Sequence, residues 1–182
     1  QEGNMKKIRK GTFETNSSSM HSLVVEGGIK GEKKKANLPL YPDGTLEIET
    51  GEYGWGYGLL KTPVSKLEYL ITLLCYTNGI ETMEELEENE VFQEWLEDLK
   101  EYARVKKIIV TDFSGYVDHQ SFTDPKSFIE NYKKEYIEDR ESYWDENEDD
   151  NEENENFTKE NLDFLQVIFD DNIVIEIAND NM

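Results

Sequence analysis

Residues 62–79 read TPVSKLEYLITLLCYTNG, and this stretch predicts the helix around which the rest of the chain packs. Its apolar residues recur at intervals of three and four, which places them on one helical face. These residues are Leu67, Leu70, Ile71, Leu74 and Cys75. Thr62-Pro63 is typical of a helix start and Asn78-Gly79 of a helix end. We therefore expect a core helix that runs to about Tyr76.

Three further helices are expected. One begins at Thr82, where Glu85 completes a capping-box pattern, and ends near Arg104. Its apolar residues again repeat at three and four. They are Phe92, Trp95, Leu96, Leu99 and Tyr102. The others run from Asp124-Pro125 to about Glu138 and from about Thr158 to Phe169.

Short segments rich in apolar residues, several of them bounded by turn residues, predict the strands. They are Lys6–Phe13, Met20–Val25, the segment around Leu46 and Ile48, Lys107–Phe113, and Ile173–Ile177. Strands and helices are interspersed without regular βαβ alternation, which is typical of the α+β class. We expect a small antiparallel or mixed sheet packed by several helices.

The chain is expected to form one domain over residues 5–182, with a mobile acidic loop at about 141–157. Residues 145–156 are all Asp, Glu or Asn, so this run has no apolar surface to bury. Residues 1–4 precede Met5 and are expected to be left over from an expression vector.

The charge of the chain is strongly acidic and uneven. The net charge is −22 at pH 7. Residues 1–37 hold eight Lys/Arg against four Asp/Glu, whereas the remainder holds eleven against thirty-seven. An acidic body is repelled by free nucleic acid and attracted to basic surfaces, including the channels of proteins that bind nucleic acid. Charge that serves only solubility is the alternative.

Several classes of protein are disfavoured. A lone Cys75 allows neither an internal disulfide nor a cysteine-based zinc site, which fits a reducing, cytoplasmic setting. No apolar run approaches the roughly 18 to 20 residues of a membrane span, and no signal-peptide core is present. No membrane association and no cofactor or metal are expected.

The segment 12–22, TFETNSSSMHS, concentrates polar chemistry close to a cationic stretch. Its candidate catalytic residues are Glu14, Asn16, Ser17, Ser18, Ser19 and His21. The candidate nucleic-acid-binding residues upstream are Lys6, Lys7, Arg9 and Lys10. A hydroxyl-rich turn that bonds its own backbone and binds small anions is a simpler interpretation of the serine run.

Metal-free RNA cleavage is one chemistry that these residue types permit. It needs a base for the 2′-hydroxyl, an acid for the leaving oxygen and a cation near the phosphate. Histidine suits both proton roles because its pKa lies near neutrality. His21 and His119 are the two histidines of the chain, and Glu14 is an alternative base.

Two other chemistries have weaker support. A serine hydrolase lacks the Gly-x-Ser-x-Gly pattern, and neighbouring residues of a strand point to opposite faces. A metal-dependent nuclease would draw on Asp112, Asp118 and His119, with Glu14 as a further carboxylate. No recognised spacing of metal ligands supports that set.

The segment Lys6–Val25, KKIRKGTFETNSSSMHSLVV, resembles a group of small proteins from phages and other mobile elements of Gram-positive bacteria. The group includes type II-A anti-CRISPR proteins, which inhibit the RNA-guided type II effector nuclease. The resemblance covers about twenty residues, and group members without a known role share it.

The resemblance implies action at the guide RNA, with the effector nuclease and its bound guide RNA as partners in the bacterial cytoplasm. The protein would either truncate the guide while the effector is present, which we favour, or block loading of the guide. The positions that match the motif are Glu14, Asn16, Ser17, Ser18, Ser19 and His21. Truncation would be performed or provoked by this chain. The alternatives are an acidic binding inhibitor without chemistry of its own and an unrelated protein of a mobile element.

The charge distribution generates the first testable prediction. The purified protein should bind free RNA with a dissociation constant above ~10⁻⁴ M at ~0.15 M salt, because its net field opposes the phosphates. Fluorescence anisotropy with a labelled single-stranded RNA measures this constant. Micromolar binding at that salt would contradict the proposed dependence on a basic protein host.

Overall fold

The computed structural model describes residues 19–25, 38–54, 58–118, 124–129 and 163–179, and these form an α+β fold as expected. Its strands are β1 (Ser19–Val25), β2 (Thr45–Ile48), β3 (Glu52–Tyr53), β4 (Gly58–Leu60), β5 (Lys107–Val110), β6 (Tyr116–Val117) and β7 (Ile173–Asn179). Its labelled helices are α1 (Pro63–Asn78), α2 (Met83–Glu88), α3 (Glu90–Ala103) and α4 (Phe164–Phe169). A helical segment also occupies residues 125–129.

Helix α1 is the expected core helix. Thr62 and Ser65 form a reciprocal capping box, and Gly79 ends the helix with a φ of 64° in the left-handed region that glycine adopts without strain. The predicted apolar face is buried together with neighbouring residues on most sides of the helix. Burial of each leucine contributes roughly 1.5–3 kcal/mol to folding, so α1 supplies much of the core.

The second predicted helix is two helices. The Thr82–Glu85 capping box is confirmed, but Asn89 is extended, with φ −76° and ψ 126°, and interrupts the helix. Its side-chain Oδ1 accepts a 3.0 Å hydrogen bond from the N–H of Phe92 and caps α3. Arg104 ends α3 in the left-handed conformation, close to the expected position.

The central strand of the largest sheet is β7, which pairs antiparallel with β1 on one side and with β4 on the other. The register of β1 sets His21 opposite Ile177 and Leu23 opposite Ile175. Side chains on both faces of β7 are buried, including Val174 and Ile175. This strand therefore lies inside the protein, and β1 is joined to it along seven residue pairs.

Two short parallel pairs, β2 with β5 and β3 with β6, follow one another along the chain. Partner residues are 62 positions apart at Ile48 and Val110 but 64 positions apart at Glu52 and Tyr116. The segment between β5 and β6 therefore holds two more residues than the segment between β2 and β3. The Oγ1 of Thr50 spans this bulge, because it donates to the carbonyl of Asp112 at 2.7 Å and accepts from the N–H of Gly115 at 2.8 Å.

This bulge explains why β5 ends earlier than predicted. The expected strand reached Phe113, but Asp112 Oδ1 accepts a hydrogen bond from the Ser114 N–H and turns the chain after Val110. At Gly115 an added Cβ would lie 2.5 Å from the Gly51 carbonyl oxygen. Only glycine fits that approach of the two backbones.

Several other predictions fall wholly or partly outside the described residues. The strand Lys6–Phe13, the acidic loop at about 141–157 and residues 1–4 lie outside them entirely. Of the two later predicted helices, 125–129 and Phe164–Phe169 are described and helical. The last strand is confirmed and extends to Asn179.

A buried lysine ties α1 to the turn between α4 and β7. The Lys66 side chain has no solvent exposure, and its Nζ donates to the carbonyls of Asp170 at 3.0 Å and Ile173 at 2.9 Å. The Asp170 carboxylate accepts from Gln166 Nε2 at 2.6 Å and from the Asn172 N–H at 2.9 Å. The turn that leads into the central strand is thereby held from two sides.

Burial lowers the pKa of Lys66 from 10.5 to about 8, although Asp170 and Asp171 favour its charged form. Lys66→Met should lower the free energy of unfolding by about 1–3 kcal/mol, because two buried carbonyls lose their donor. Between pH 8 and 10.5 the folded protein releases this proton before the unfolded chain does. The cost of burying the charge then disappears, and the wild type gains stability relative to the variant.

Urea unfolding of both proteins at pH 7, 8.5 and 10 measures this difference. Lys100→Met is the matched control, because Lys100 is exposed and pairs only with Glu97 on the same helix. A gap between wild type and Lys66→Met that stays constant with pH would show that Lys66 titrates as a solvated lysine.

Candidate functional site

Two of the predicted site residues, Ser19 and His21, lie on the described strand β1. The other predicted site residues lie outside the described residues. They are Lys6, Lys7, Arg9, Lys10, Glu14, Asn16, Ser17 and Ser18. The structure describes the C-terminal end of the predicted site, where the chain enters β1.

His21 is a core residue in this structure. It is 2% exposed, and its Nδ1 lies 2.8 Å from the hydroxyl of Tyr69, within hydrogen-bonding distance. The two rings meet edge to face, with centroids 5.6 Å apart and planes at 63°. This placement differs from the exposed position expected of a group that transfers protons to RNA. Such a role, which stays a prediction, would require β1 to move away from α1.

The alternation of side chains along β1 explains why His21 is buried. Alternate residues of β1 point to opposite faces, and both His21 and Leu23 are buried. His21 therefore shares the buried side with an apolar residue, and α1 supplies its polar partner. A histidine held in this way is a structural contact between β1 and α1.

Tyr69 is the residue that sequence reasoning missed. It is fully buried and packs against Tyr53 at a centroid distance of 5.0 Å and Phe128 at 5.8 Å. Burial raises its pKa well above the ordinary value, and nearby Tyr53 adds to this, so its hydroxyl stays protonated at neutral pH. A tyrosine within the apolar run of α1 was the one signal that a polar partner must lie opposite.

The clearest surface feature among the described residues is an acidic face on α2 and α3, which we call the acidic helix face. Its nine acidic residues stand against one lysine of the same helices, Lys100. They are Glu84, Glu85, Glu87, Glu88, Glu90, Glu94, Glu97, Asp98 and Glu101. Six residues from Glu88 to Asp98 line a shallow depression there. Lys100 forms an ion pair with Glu97, and Lys126 forms one with Glu94.

A second depression has a mixed lining of three glutamates, Tyr41, Pro39 and Ile48. The Tyr41 hydroxyl donates to Glu47 at 3.0 Å. Partial burial raises the pKa of Glu68, and the negative charge of Glu49 adds to this. Both depressions thus present negative charge to any molecule that docks there.

Of the residues considered for a metal-dependent nuclease, Asp112 and Asp118 lie within the described ranges. Asp112 Oδ1 accepts the Ser114 N–H, which lowers the pKa of Asp112. Asp118 follows β6, and His119 lies outside the described residues. Within the described ranges, no three His, Cys, Asp or Glu side chains are grouped as metal ligands.

Comparisons of the chain with protein-family models, curated proteins and solved structures found no match. Among the helices that the structure describes, none has the length and apolarity needed to cross a membrane.

Proposed function

We propose that this protein is an anti-CRISPR protein that inactivates the type II CRISPR effector nuclease through its guide RNA, in the bacterial cytoplasm. The observation that carries the proposal is the resemblance of Lys6–Val25 to the anti-CRISPR group. The net charge of −22 supports the proposal further, because the channel of the partner that binds guide RNA must be basic and would attract an acidic protein.

The acidic helix face is the proposed docking surface for that channel. Carboxylates at Glu90, Glu94, Glu97 and Glu101 recur at intervals of three and four and are exposed, so they form one stripe along α3. Such a stripe presents to a Lys/Arg-lined channel the sign of charge that phosphates present. Complementary charge of this kind speeds association and selects the partner.

Once docked, the cationic segment containing Lys6, Lys7, Arg9 and Lys10 would meet the guide RNA held by the effector. The effector neutralises the repulsion that the acidic body exerts on free RNA. This order of events lets one chain combine a body that avoids nucleic acid with a small segment that contacts it.

Two outcomes at the guide RNA are possible within the proposal. In the first, the guide is truncated while the effector is present, with Glu14 and its polar neighbours near the scissile phosphate. In the second, the acidic body occupies the channel and the guide is not loaded. The burial of His21 favours the second outcome, because it removes one of two histidines from an accessible acid–base pair.

A denaturing gel separates the two outcomes. Effector, guide RNA and this protein are incubated together and in pairs, and guide length and guide loading are then measured. Truncation predicts a shortened guide only in the three-component mixture, with loss of cleavage in Glu14→Ala. The matched control is Glu32→Ala, which removes a carboxylate of the N-terminal region outside the motif and should retain cleavage.

An intact guide that is not loaded would establish the non-enzymatic inhibitor. An intact guide that is loaded normally, in an effector that still cuts its target DNA, would refute the proposed function in both forms.

Reversing charge on α3 tests the docking surface. Glu90→Lys/Glu94→Lys/Glu97→Lys should weaken binding to the effector by at least about tenfold at ~0.15 M salt, because the proposed charge pairs become repulsive. Glu49→Lys/Glu52→Lys/Glu81→Lys is the matched control, since it changes net charge equally at exposed positions elsewhere. Surface plasmon resonance at several salt concentrations measures both. If both triple variants weakened binding to the effector equally, the effect would come from net charge, and the acidic helix face would be excluded as the docking surface.

A further inference from the structure

A buried hydrogen bond joins His21 of β1 to Tyr69 of α1. We propose that this buried hydrogen bond fixes the register of β1 against the central strand β7, and that Tyr69 is thereby a positioning residue for the segment upstream of β1. Polar pairs in an otherwise apolar interior select one alignment because every other alignment separates the partners.

The neighbours of His21 in the strand cannot replace it. A shift of β1 by one residue would turn the opposite face of the strand inward and bring Met20 or Ser22 to the Tyr69 position. A shift by two residues would keep the same face inward and bring Ser19 or Leu23 there. Leucine has no polar atom, and the serine hydroxyl extends less far from the backbone than an imidazole nitrogen does.

The apolar pairs of β1 discriminate against only one of the two shifts. Leu23 lies opposite Ile175, and Val24 and Val25 follow it opposite Val174 and Ile173. A two-residue shift in one direction would set Val24 and Val25 opposite Asn172 and Asp171, whereas the shift in the other direction would keep Leu23 and Val25 opposite Ile177 and Ile175. The hydrogen bond therefore supplies, against this second shift, discrimination that the aliphatic pairs lack.

The point at which the predicted RNA-facing segment joins the sheet follows from this register. Residues 12–18 are covalently continuous with Ser19, the first residue of β1. A two-residue shift would displace the entry point of that segment by about 7 Å along β7. This functional consequence rests on the proposed function, whereas the register itself does not.

Cysteine pairs across β1 and β7 read the register directly. Val24→Cys/Val174→Cys reports the observed alignment, in which these two positions are partners. Ser22→Cys/Val174→Cys and Ser22→Cys/Ala178→Cys report shifts of two residues in either direction, since these positions are not partners in the observed alignment. Cys75 does not compete, because burial raises the pKa of its thiol to about 12.

Each pair is placed in three full-length backgrounds, and disulfide yield after mild oxidation is measured by peptide mass spectrometry. In the wild-type background only the Val24→Cys/Val174→Cys pair should close. With Tyr69→Phe, which keeps the ring and removes the hydroxyl, disulfide yield in one or both shifted pairs should rise about tenfold or more. Tyr53→Phe is the matched control, because Tyr53 belongs to the same aromatic cluster and lacks a described hydrogen bond to its hydroxyl.

Unchanged yields in Tyr69→Phe, in a protein whose circular dichroism shows it to be folded, would overturn the inference. Equal increases in Tyr53→Phe and Tyr69→Phe would do the same, because they would indicate general loosening of the aromatic cluster. Both results are independent of guide RNA and effector. A failed guide-RNA assay with a confirmed register shift would therefore count against the proposed function alone.

Discussion

The buried ammonium of Lys66 is the contact on which the arrangement of the sheet and α1 depends. It holds the carbonyls of Asp170 and Ile173, and these two residues begin and end the turn into β7. The central strand β7 pairs with both β1 and β4. The positions of all three strands in that sheet therefore depend on this turn. A lysine can serve there because its long aliphatic stem packs with the core while its three donors reach backbone oxygens. The desolvation that lowers its pKa is the energetic cost of that arrangement.

Polar groups in this protein are divided sharply between two uses. Inside, a few buried groups make specific hydrogen bonds that fix geometry: Lys66 at the turn, and His21 with Tyr69 between β1 and α1. Outside, the described helices α2 and α3 present carboxylates with few balancing cations. The interior groups define where the strands lie, and the exterior groups define which molecules can approach. Most carboxylates of the described helices α2 and α3 are thus at the surface, whereas Asp170 and Glu176 are the acidic residues buried among the described part of the chain.

The features that could be predicted from the sequence are those encoded locally. Thr62, Ser65 and Gly79 act within a turn of α1, and the Thr82–Glu85 box acts within a turn of α2. The break at Asn89 was missed because one amphipathic period continues on both sides of it. The parallel pairing of β2 with β5 joins residues about sixty positions apart, and the Thr50 bridge across the bulge is equally non-local. Lys66 was missed for the same reason, since nothing near it in sequence requires a lysine to be buried.

His21 shows why residue type is a weaker guide to chemistry than position. Its nearness to Glu14 and four serines in the sequence suggested proton transfer, because histidine titrates near neutral pH. Its position is decided instead by the period of β1 and by a hydroxyl 48 residues away on α1. The inward residues of a strand that joins a central strand are committed to the fold. His21 is thus committed to the contact between β1 and α1, where its ring fills space in the core and its Nδ1 meets the Tyr69 hydroxyl.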